Sequence, residues 1–372
     1  MFGCNVAAGD NFYLSMLEIT FEVFDTIKHL ESFWKESDAL ASAMIADGRL
    51  PRIEYTFYQT FRWNEFVERY YSSQPAVRLG LKHIEYILVR KDGKAMAILP
   101  LMVYKSGKVE MTSWRTSGIN NVVSVYNNER HADVFKALIG YIRGRYHGKK
   151  LRLFELPPST PFTVELSAIP GASYTERGSY HIPLSDFEDF DAYYMSLNKK
   201  LRHNIKTRSN HFTHGDLTSE LKVFTRENPP SNDYWKKIWR LFFMRKNVWR
   251  RRDITLFRRL VCSWETRKEC SGGMKTRSFS ELDETVLFVF EINGEPAAFA
   301  FLYLSDGYIV VPKLAIDTEQ RAHAPGILML KEIMKWCYDR RVRDFDLCRG
   351  EEPYKQQMGA VNQPVCRVMA KL

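Results

Sequence analysis

The segment Asp344–Lys355 (DFDLCRGEEPYK) concentrates residue types that catalyse group transfer. Asp346 lies in an otherwise apolar stretch, and Glu352, Tyr354 and Lys355 follow within a few residues. In acyl transfer, one group takes a proton from the nucleophile and another protonates or steadies the leaving group. A strand end with a helix cap and surface salt bridges contains the same residue types, so the segment alone leaves both interpretations open.

The local order of this segment predicts how its side chains are held. A carboxylate in an apolar strand costs free energy unless it is paired, so we expect Arg349 or a neighbouring basic residue beside Asp346. Gly350 permits a sharp turn out of the strand. Glu351 and Glu352 then lie near a helix N-terminus, where negative charge is stabilised.

A second segment, Glu319–Ile327 (EQRAHAPGI), has the composition of an anion-binding loop. Pro325 suits a first helical turn, and Gly326 lets the backbone approach a ligand closely. The free amides and the positive dipole end of a helix attract a diphosphate. An ordinary helix start has the same pattern.

The elements around these segments form the most regular part of the sequence. Two-residue turn signals, such as Asn293-Gly294, separate runs of apolar residues. We predict strands at Thr285–Ile292, Ala297–Leu304, Tyr308–Ile316, Arg343–Cys348 and Gln363–Leu372, with helices at Gly326–Arg340 and from Pro353 onward. An antiparallel meander that feeds a β-α-β crossover indicates a mixed α+β fold.

The N-terminal part repeats this mixture of helices and strands. We predict helices at Phe57–Phe66 and His131–Tyr146, and strands at His83–Arg90, Ala95–Tyr104 and Lys150–Leu156.

The middle of the chain, residues 187–279, is predicted to be helical and basic, with a loop at Cys270–Arg277. Its cationic clusters, in Phe187–Thr213 and Asp233–Arg267, fit either a positive wall for a phosphate-bearing ligand or solvated helix faces.

Composition limits the class of protein. A chain of 372 residues with 45% hydrophobic residues predicts two packed domains, which we place at residues 1–180 and 181–372. The net charge of +10 favours acidic partners. Six cysteines without CxxC spacing predict neither a zinc site nor a disulfide framework. Ala95–Tyr104 is too short to span a bilayer, and no secretory signal is evident, so we expect a cytoplasmic protein without bound metal.

Taken together, these segments resemble the CelD-type cellulose-biosynthesis acetyltransferases, double-GNAT proteins related to the FemAB transferases. The resemblance is carried by Ala324-Pro325-Gly326 before a helix and by the run from Arg349 to Lys355. Weaker matches are Leu88–Leu101, Leu197–Asn210 and Arg245–Trp249. It implies tandem GNAT-like domains, the first of them degenerate, each with a mixed, largely antiparallel sheet flanked by helices.

The resemblance also implies a function. An acetyl or other acyl group carried by coenzyme A would pass to an amine or hydroxyl of a sugar, polysaccharide precursor or amino acid. Glu352 or Asp346 would be the general base, Tyr354 the proton donor to the thiolate, and Lys355 a ligand for a phosphate or carboxylate of the acceptor.

Binding roles follow from the same resemblance. The coenzyme A diphosphate would lie on the segment that begins at His323 and Ala324 and continues through Pro325, Gly326, Ile327 and Leu328. Substrate contacts would come from Arg202, Arg208, Arg349 and Gly350.

The sequence departs from the family pattern at two places. The usual GNAT phosphate loop has more glycines than QRAHAPG, which leaves less room for the diphosphate. Met358 stands where a Trp is common, which bears on the acyl or acceptor pocket.

Two other functions fit the sequence. A FemAB-like aminoacyl transferase would use charged tRNA, and the basic middle helices suit RNA, although no long helical hairpin separates the domains. A non-catalytic protein of polysaccharide synthesis would bind a partner or glycan through Trp235, Trp239 and Trp249, residues whose spacing also suits a helical core. A DNA-binding role lacks any recognition-helix or zinc-ligand pattern.

Overall fold

The computed structural model describes residues 18–73, 80–112, 118–124, 131–250 and 272–372. These residues form two mixed sheets of seven strands, flanked by helices, which confirms the predicted fold class. The first sheet contains β1 (Ile19–Phe24), β2 (Leu81–Lys91), β3 (Lys94–Tyr104), β4 (Lys108–Met111), β5 (Lys150–Leu156), β6 (Ser173–Arg177) and β14 (Val365–Lys371). The second contains β7 (Ser179–Pro183), β8 (Ser219–Phe224), β9 (Thr285–Ile292), β10 (Glu295–Ser305), β11 (Tyr308–Ile316), β12 (Asp344–Arg349) and β13 (Val361–Asn362).

The helices connect these strands and cover the sheets. They are α1 (Glu31–Ala46), α2 (Phe61–Ser73), α3 (Ala132–Arg145), α4 (Pro161–Ser167), α5 (Phe190–Ser196), α6 (Lys199–His214), α7 (Asn232–Arg250), α8 (Gly272–Glu281), α9 (Pro325–Asp339) and α10 (Pro353–Gln357). Among the described residues, no helix combines the length and apolar character needed to cross a membrane.

The hairpins form where the turn residues predict them. Asn293 and Gly294 have φ angles of 51° and 77°, the left-handed pair that a tight two-residue hairpin needs. The predicted strands on either side of this turn pair as β9 and β10.

The two sheets have the same plan. Their strand orders are β1-β2-β3-β4-β5-β14-β6 and β8-β9-β10-β11-β12-β7-β13. In each sheet one central pair is parallel, β4 with β5 and β11 with β12, while the other named pairs are antiparallel. A helix joins the two strands of each parallel pair, α3 in the first sheet and α9 in the second.

The two halves exchange one strand each. β7 follows β6 directly in the chain but lies in the second sheet, and β14 follows β13 but lies in the first. The tail is therefore a strand, as predicted, but it pairs with β5 and β6. The division predicted between residues 180 and 181 stays a prediction, and it falls inside β7.

A shared core joins the sheets. Trp34, Trp63 and Phe66 of α1 and α2 are almost fully buried in a cluster that includes residues of both sheets. α3 and α4 pack on the outer face of the first sheet, and α5, α6 and α9 on the outer face of the second. Both faces of β11 and β12 are thus covered by packed elements.

Two local predictions in the basic middle segment are wrong. Residues Ser219–Phe224 form strand β8, which pairs with β9, inside the segment predicted to be helical. Residues 270–277 were expected to form a loop, but helix α8 occupies the described part from Gly272 onward. Phe279 and Leu282 are buried, and the Phe279 ring lies 5.6 Å from that of Trp235. This packing outweighs the low helix propensity of the paired glycines. The basic run at 251–267 lies outside the described residues.

Candidate active site

The candidate site lies where β11 and β12 part. Their parallel pairing runs from Tyr308 to Val310, opposite Asp344 to Asp346. β11 then continues to Ile316, and β12 to Arg349, without further pairing between them in the described chain. Ligands commonly bind where neighbouring strands of an α/β sheet diverge.

Asp346 is buried at the last position of β12 that pairs with β11. Its side chain accepts hydrogen bonds from the Tyr308 hydroxyl (2.7 Å) and the Cys348 amide (2.6 Å), and the residue is 1% exposed. Burial raises the pKa of the Asp346 carboxyl, and the two hydrogen bonds oppose that rise. The partner is therefore Tyr308 rather than the expected Arg349, because the register of β11 with β12 brings the phenol beside the carboxylate.

Lys355 closes the turn that follows β12. Its Nζ donates to the carbonyl oxygens of Cys348 (2.8 Å), Arg349 (3.0 Å) and Gly350 (3.0 Å). The residue is 2% exposed, and three acceptors match the three donors of an ammonium group. Lys355 thus has a structural position, and the expected contact with an acceptor phosphate or carboxylate is not available to it in this geometry.

Gly350 and Glu352 fit against each other in this turn. Gly350 has a φ of 117°, and a Cβ added there would lie 2.4 Å from Oε2 of Glu352. The same Oε2 is 3.2 Å from Nζ of Lys355, and 36% of the Glu352 side chain is exposed. Tyr354, two residues on, is half-buried against the core of the second half. Of the two candidate bases, only Glu352 reaches the surface.

The start of α9 offers fewer free amides than the sequence predicts. A 3-10 turn at Arg321–His323 leads to Ala324, which has left-handed angles of 49° and 46°. The amides of Ile327 and Leu328 both donate to the Ala324 carbonyl (3.1 and 3.2 Å), and Pro325 has no N–H. Within the described chain, only the amide of Gly326 in this stretch lacks a backbone acceptor.

The remaining predicted cofactor contact, His323, lies beside another element. Its ring is half-buried and 6.1 Å from that of Phe212, near the end of α6. Arg202 and Arg208 also belong to α6, and α6 packs against α9. Arg208 is exposed, while a guanidinium nitrogen of Arg202 lies 2.7 Å from the Met195 sulfur.

An ionic cluster around the buried carboxylate of Glu155 joins the halves next to the site. Arg349 donates to Glu155 of β5 (2.6 Å), and Arg367 of β14 donates to the same oxygen (3.1 Å). Glu155 and Cys348 both have a φ of 59° and lie where β5 and β12 lose register with their neighbours. Arg349 therefore positions the strand end rather than pairing with Asp346. Glu155 could have been singled out, because it is a lone carboxylate in the apolar run LFEL, as Asp346 is in its own strand.

Comparison with known proteins agrees with this architecture. Residues 274–356 match the family model described as an acetyltransferase (GNAT) domain. A tandem GNAT protein from the clavulanic acid biosynthesis pathway is 12% identical, with a TM-score of 0.53 over 95% of this chain and 98% of that chain. A conserved protein of unknown function from Bacteroides thetaiotaomicron VPI-5482 is 14% identical, with a TM-score of 0.52 over 95% of this chain and all of that one (100%). No curated protein matches the sequence.

These identities are low, so the solved structures bear on the fold alone. The matched segment begins in α8 and ends in α10, and it includes β11, α9 and β12, the elements that build the candidate site. The chain has the tandem GNAT fold, and its second half contains a segment that matches a GNAT acetyltransferase domain.

Proposed function

We propose that the protein transfers an acyl group, most simply acetyl, from a coenzyme A thioester to an amine or hydroxyl. The observation that supports this proposal is the end of the β11–β12 pairing at Val310 and Asp346, shortly before the turn that carries Glu352 and Tyr354, within the segment that matches the GNAT model. The thioester would lie in the opening between these two strands, with its diphosphate at the start of α9. Gly326 suits that position, because its amide has no backbone acceptor.

Glu352 is the general base in this proposal. Its carboxylate is partly exposed, at the N-cap position of α10, and Lys355 lies 3.2 Å away. It takes the proton from the acceptor as the acceptor attacks the thioester carbonyl. The carbon–sulfur bond then breaks, and the Tyr354 hydroxyl protonates the departing thiolate. Buried Asp346 holds Tyr308 and the Cys348 amide in place beside the opening.

The acceptor class rests on the resemblance described above. We propose a sugar, a polysaccharide precursor or an amino-acid-like amine, as in CelD-type proteins. The positive charge of α6 also fits the FemAB-like alternative with charged tRNA. Binding of tRNA that weakens steeply with salt would favour that alternative. A thermal melt that acetyl-CoA does not shift would do the same.

The test is the release of coenzyme A thiol from acetyl-CoA in the presence of amine and hydroxyl acceptors. Glu352→Gln and Tyr354→Phe should each lower kcat by about 100-fold or more. Glu351→Gln is the matched control, because Glu351 is exposed and adjacent but has no assigned role. Wild-type rates in both Glu352→Gln and Tyr354→Phe would overturn the assignment of these roles.

A further inference from the structure

Helix α6 carries a concentration of unpaired positive charge. Its sixteen residues include no Asp or Glu. Its lysines and arginines are Lys199, Lys200, Arg202, Lys206 and Arg208. Among the described residues, none of these five forms an ion pair, whereas Lys222 of β8 and Lys236 and Lys237 of α7 each do. Uncompensated cations on one helix produce a local positive potential that attracts anions.

The packing of α6 places part of this charge beside the start of α9. Leu201 and Ile205 are buried in the core shared with α9, and the Phe212 ring contacts His323. Arg208 lies three residues after Ile205 and four before Phe212, so it belongs to the same stripe of the helix. Unlike Ile205, however, Arg208 is exposed. Arg208 therefore lies at the solvent-exposed edge of the face that α6 packs against its neighbours.

The start of α9 cannot by itself neutralise a nucleotide that carries several phosphates. Its amide set is reduced to Gly326, as the hydrogen bonds to the Ala324 carbonyl show. Charged side chains are the usual supplement to backbone amides at phosphate sites. Phe212 lies beside His323 at the start of α9, and Arg208 lies four residues earlier on α6, about 6 Å along the helix axis. Arg208 therefore suits a phosphate further along the nucleotide than the diphosphate itself.

We propose that Arg208 binds the 3′-phosphate of the coenzyme A thioester. This inference rests on the proposed function and adds a binding residue outside the matched segment 274–356. Arginine suits the task, because its planar guanidinium donates two parallel hydrogen bonds to one phosphate group. Side-chain cations on α6 then compensate for the glycine-poor loop before α9.

The experiment is calorimetric titration of wild type, Arg208→Gln and Lys206→Gln with coenzyme A and with dephospho-coenzyme A, which lacks the 3′-phosphate. Lys206→Gln is the matched control, because it removes the same charge from an exposed position of the same helix. Lys206 does not lie on the face of α6 that carries Ile205 and Phe212. Arg208→Gln should weaken coenzyme A binding roughly tenfold. Lys206→Gln should change it less than about twofold.

Dephospho-coenzyme A separates a contact with the 3′-phosphate from a general effect of charge. It should bind wild type more weakly than coenzyme A does, and its affinity should not change in Arg208→Gln. Equal losses in the two variants, or equal losses for the two ligands in Arg208→Gln, would overturn the inference and leave the proposed function intact. If wild type binds neither ligand, the proposed function itself fails.

Discussion

The ammonium group of Lys355 lies 2.8 Å from the carbonyl oxygen of Cys348, and this contact fixes the end of the strand that leads into the candidate site. Cys348 has a left-handed φ of 59°, at the point where β12 loses register with β7. A buried carbonyl without a donor costs free energy. Lys355 supplies that donor and, through two further carbonyls, holds the whole turn.

Replacing Lys355 should therefore destabilise the protein. Lys355→Met keeps the length of the side chain but removes three hydrogen bonds, one to a buried carbonyl and two to partly buried ones, and we expect the free energy of unfolding to fall by about 2–4 kcal/mol. Urea denaturation measures this change. Lys335→Met, at an exposed position of α9, is the control and should alter stability by less than about 0.5 kcal/mol. Similar values for the two variants would mean that Lys355 does not hold the turn.

Gly350 should be required for the position of Glu352. In Gly350→Ala the new methyl group meets the Glu352 carboxylate, so we expect acyl transfer to fall by roughly tenfold or more as the base is displaced. Gly48→Ala is the matched control, because Gly48 has a φ of 70° but nothing within 4 Å of an added Cβ. It should cost about 1 kcal/mol of stability and leave turnover unchanged. Loss of turnover in both variants would show that general destabilisation, rather than displacement of Glu352, is the cause.

The ionic cluster at Glu155 should contribute to the joining of the two halves. Glu155→Gln leaves two partly exposed guanidinium groups without their shared carboxylate, and we expect the free energy of unfolding to fall by about 2 kcal/mol. The exposed pair of Glu31 with Lys35 is the comparison, and Glu31→Gln should cost less than about 1 kcal/mol. Urea denaturation of wild type, Glu155→Gln and Glu31→Gln measures the two losses in unfolding free energy. Equal and small losses would contradict a role for Glu155 at this junction.

Asp38 should make stability depend on pH. Burial raises the pKa of its carboxyl from 3.8 to about 6, although Tyr55 and the Phe61 amide (3.0 Å) donate to it. Because the folded-state pKa is raised, the protonated form is the one that the fold favours. Its contribution is complete below about pH 4 and is lost as the pH rises through about 6.

The measurement is the unfolding free energy of wild type and of Asp38→Asn between pH 4 and 7. Asparagine does not titrate, so it keeps the same charge throughout. Wild type should lose about 2 kcal/mol relative to the variant over this range. A constant difference between the two proteins would show that the pKa of Asp38 is not raised by folding.

Local signals in the sequence predicted the elements of the site but not the contacts between them. The turn at Asn293-Gly294 and the apolar runs beside it define a hairpin without reference to the rest of the chain. The partner of Asp346, in contrast, is Tyr308, 38 residues away, and only the register of β11 with β12 brings the two together. Lys355 looks like a surface cation in the sequence because its three carbonyl partners depend on the turn conformation.

The exchange of β7 and β14 was equally beyond the sequence. Both strands are short, and each has a similar pattern of buried residues. This pattern fits either of the two similar sheets, so it does not specify which sheet each strand joins. The chain crosses from one sheet to the other at Gly178 and again at Gln363. Two backbone hydrogen bonds hold these crossings: the Gly350 amide donates to the Gly178 carbonyl (3.1 Å), and the Gln363 amide donates to the Ser179 carbonyl (2.7 Å).

Direct binding of the thioester is the closest test of the proposed function. Acetyl-CoA titrated into the full chain by calorimetry should give saturable heat with one site per chain. The same ligand at about 100 times its Kd should stabilise the fold by about 2.7 kcal/mol, which a thermal melt registers as a shift of a few degrees. The absence of both heat and melt shift, with acetyl-CoA and with longer acyl-CoAs, would contradict the assignment of a thioester donor to the opening between β11 and β12.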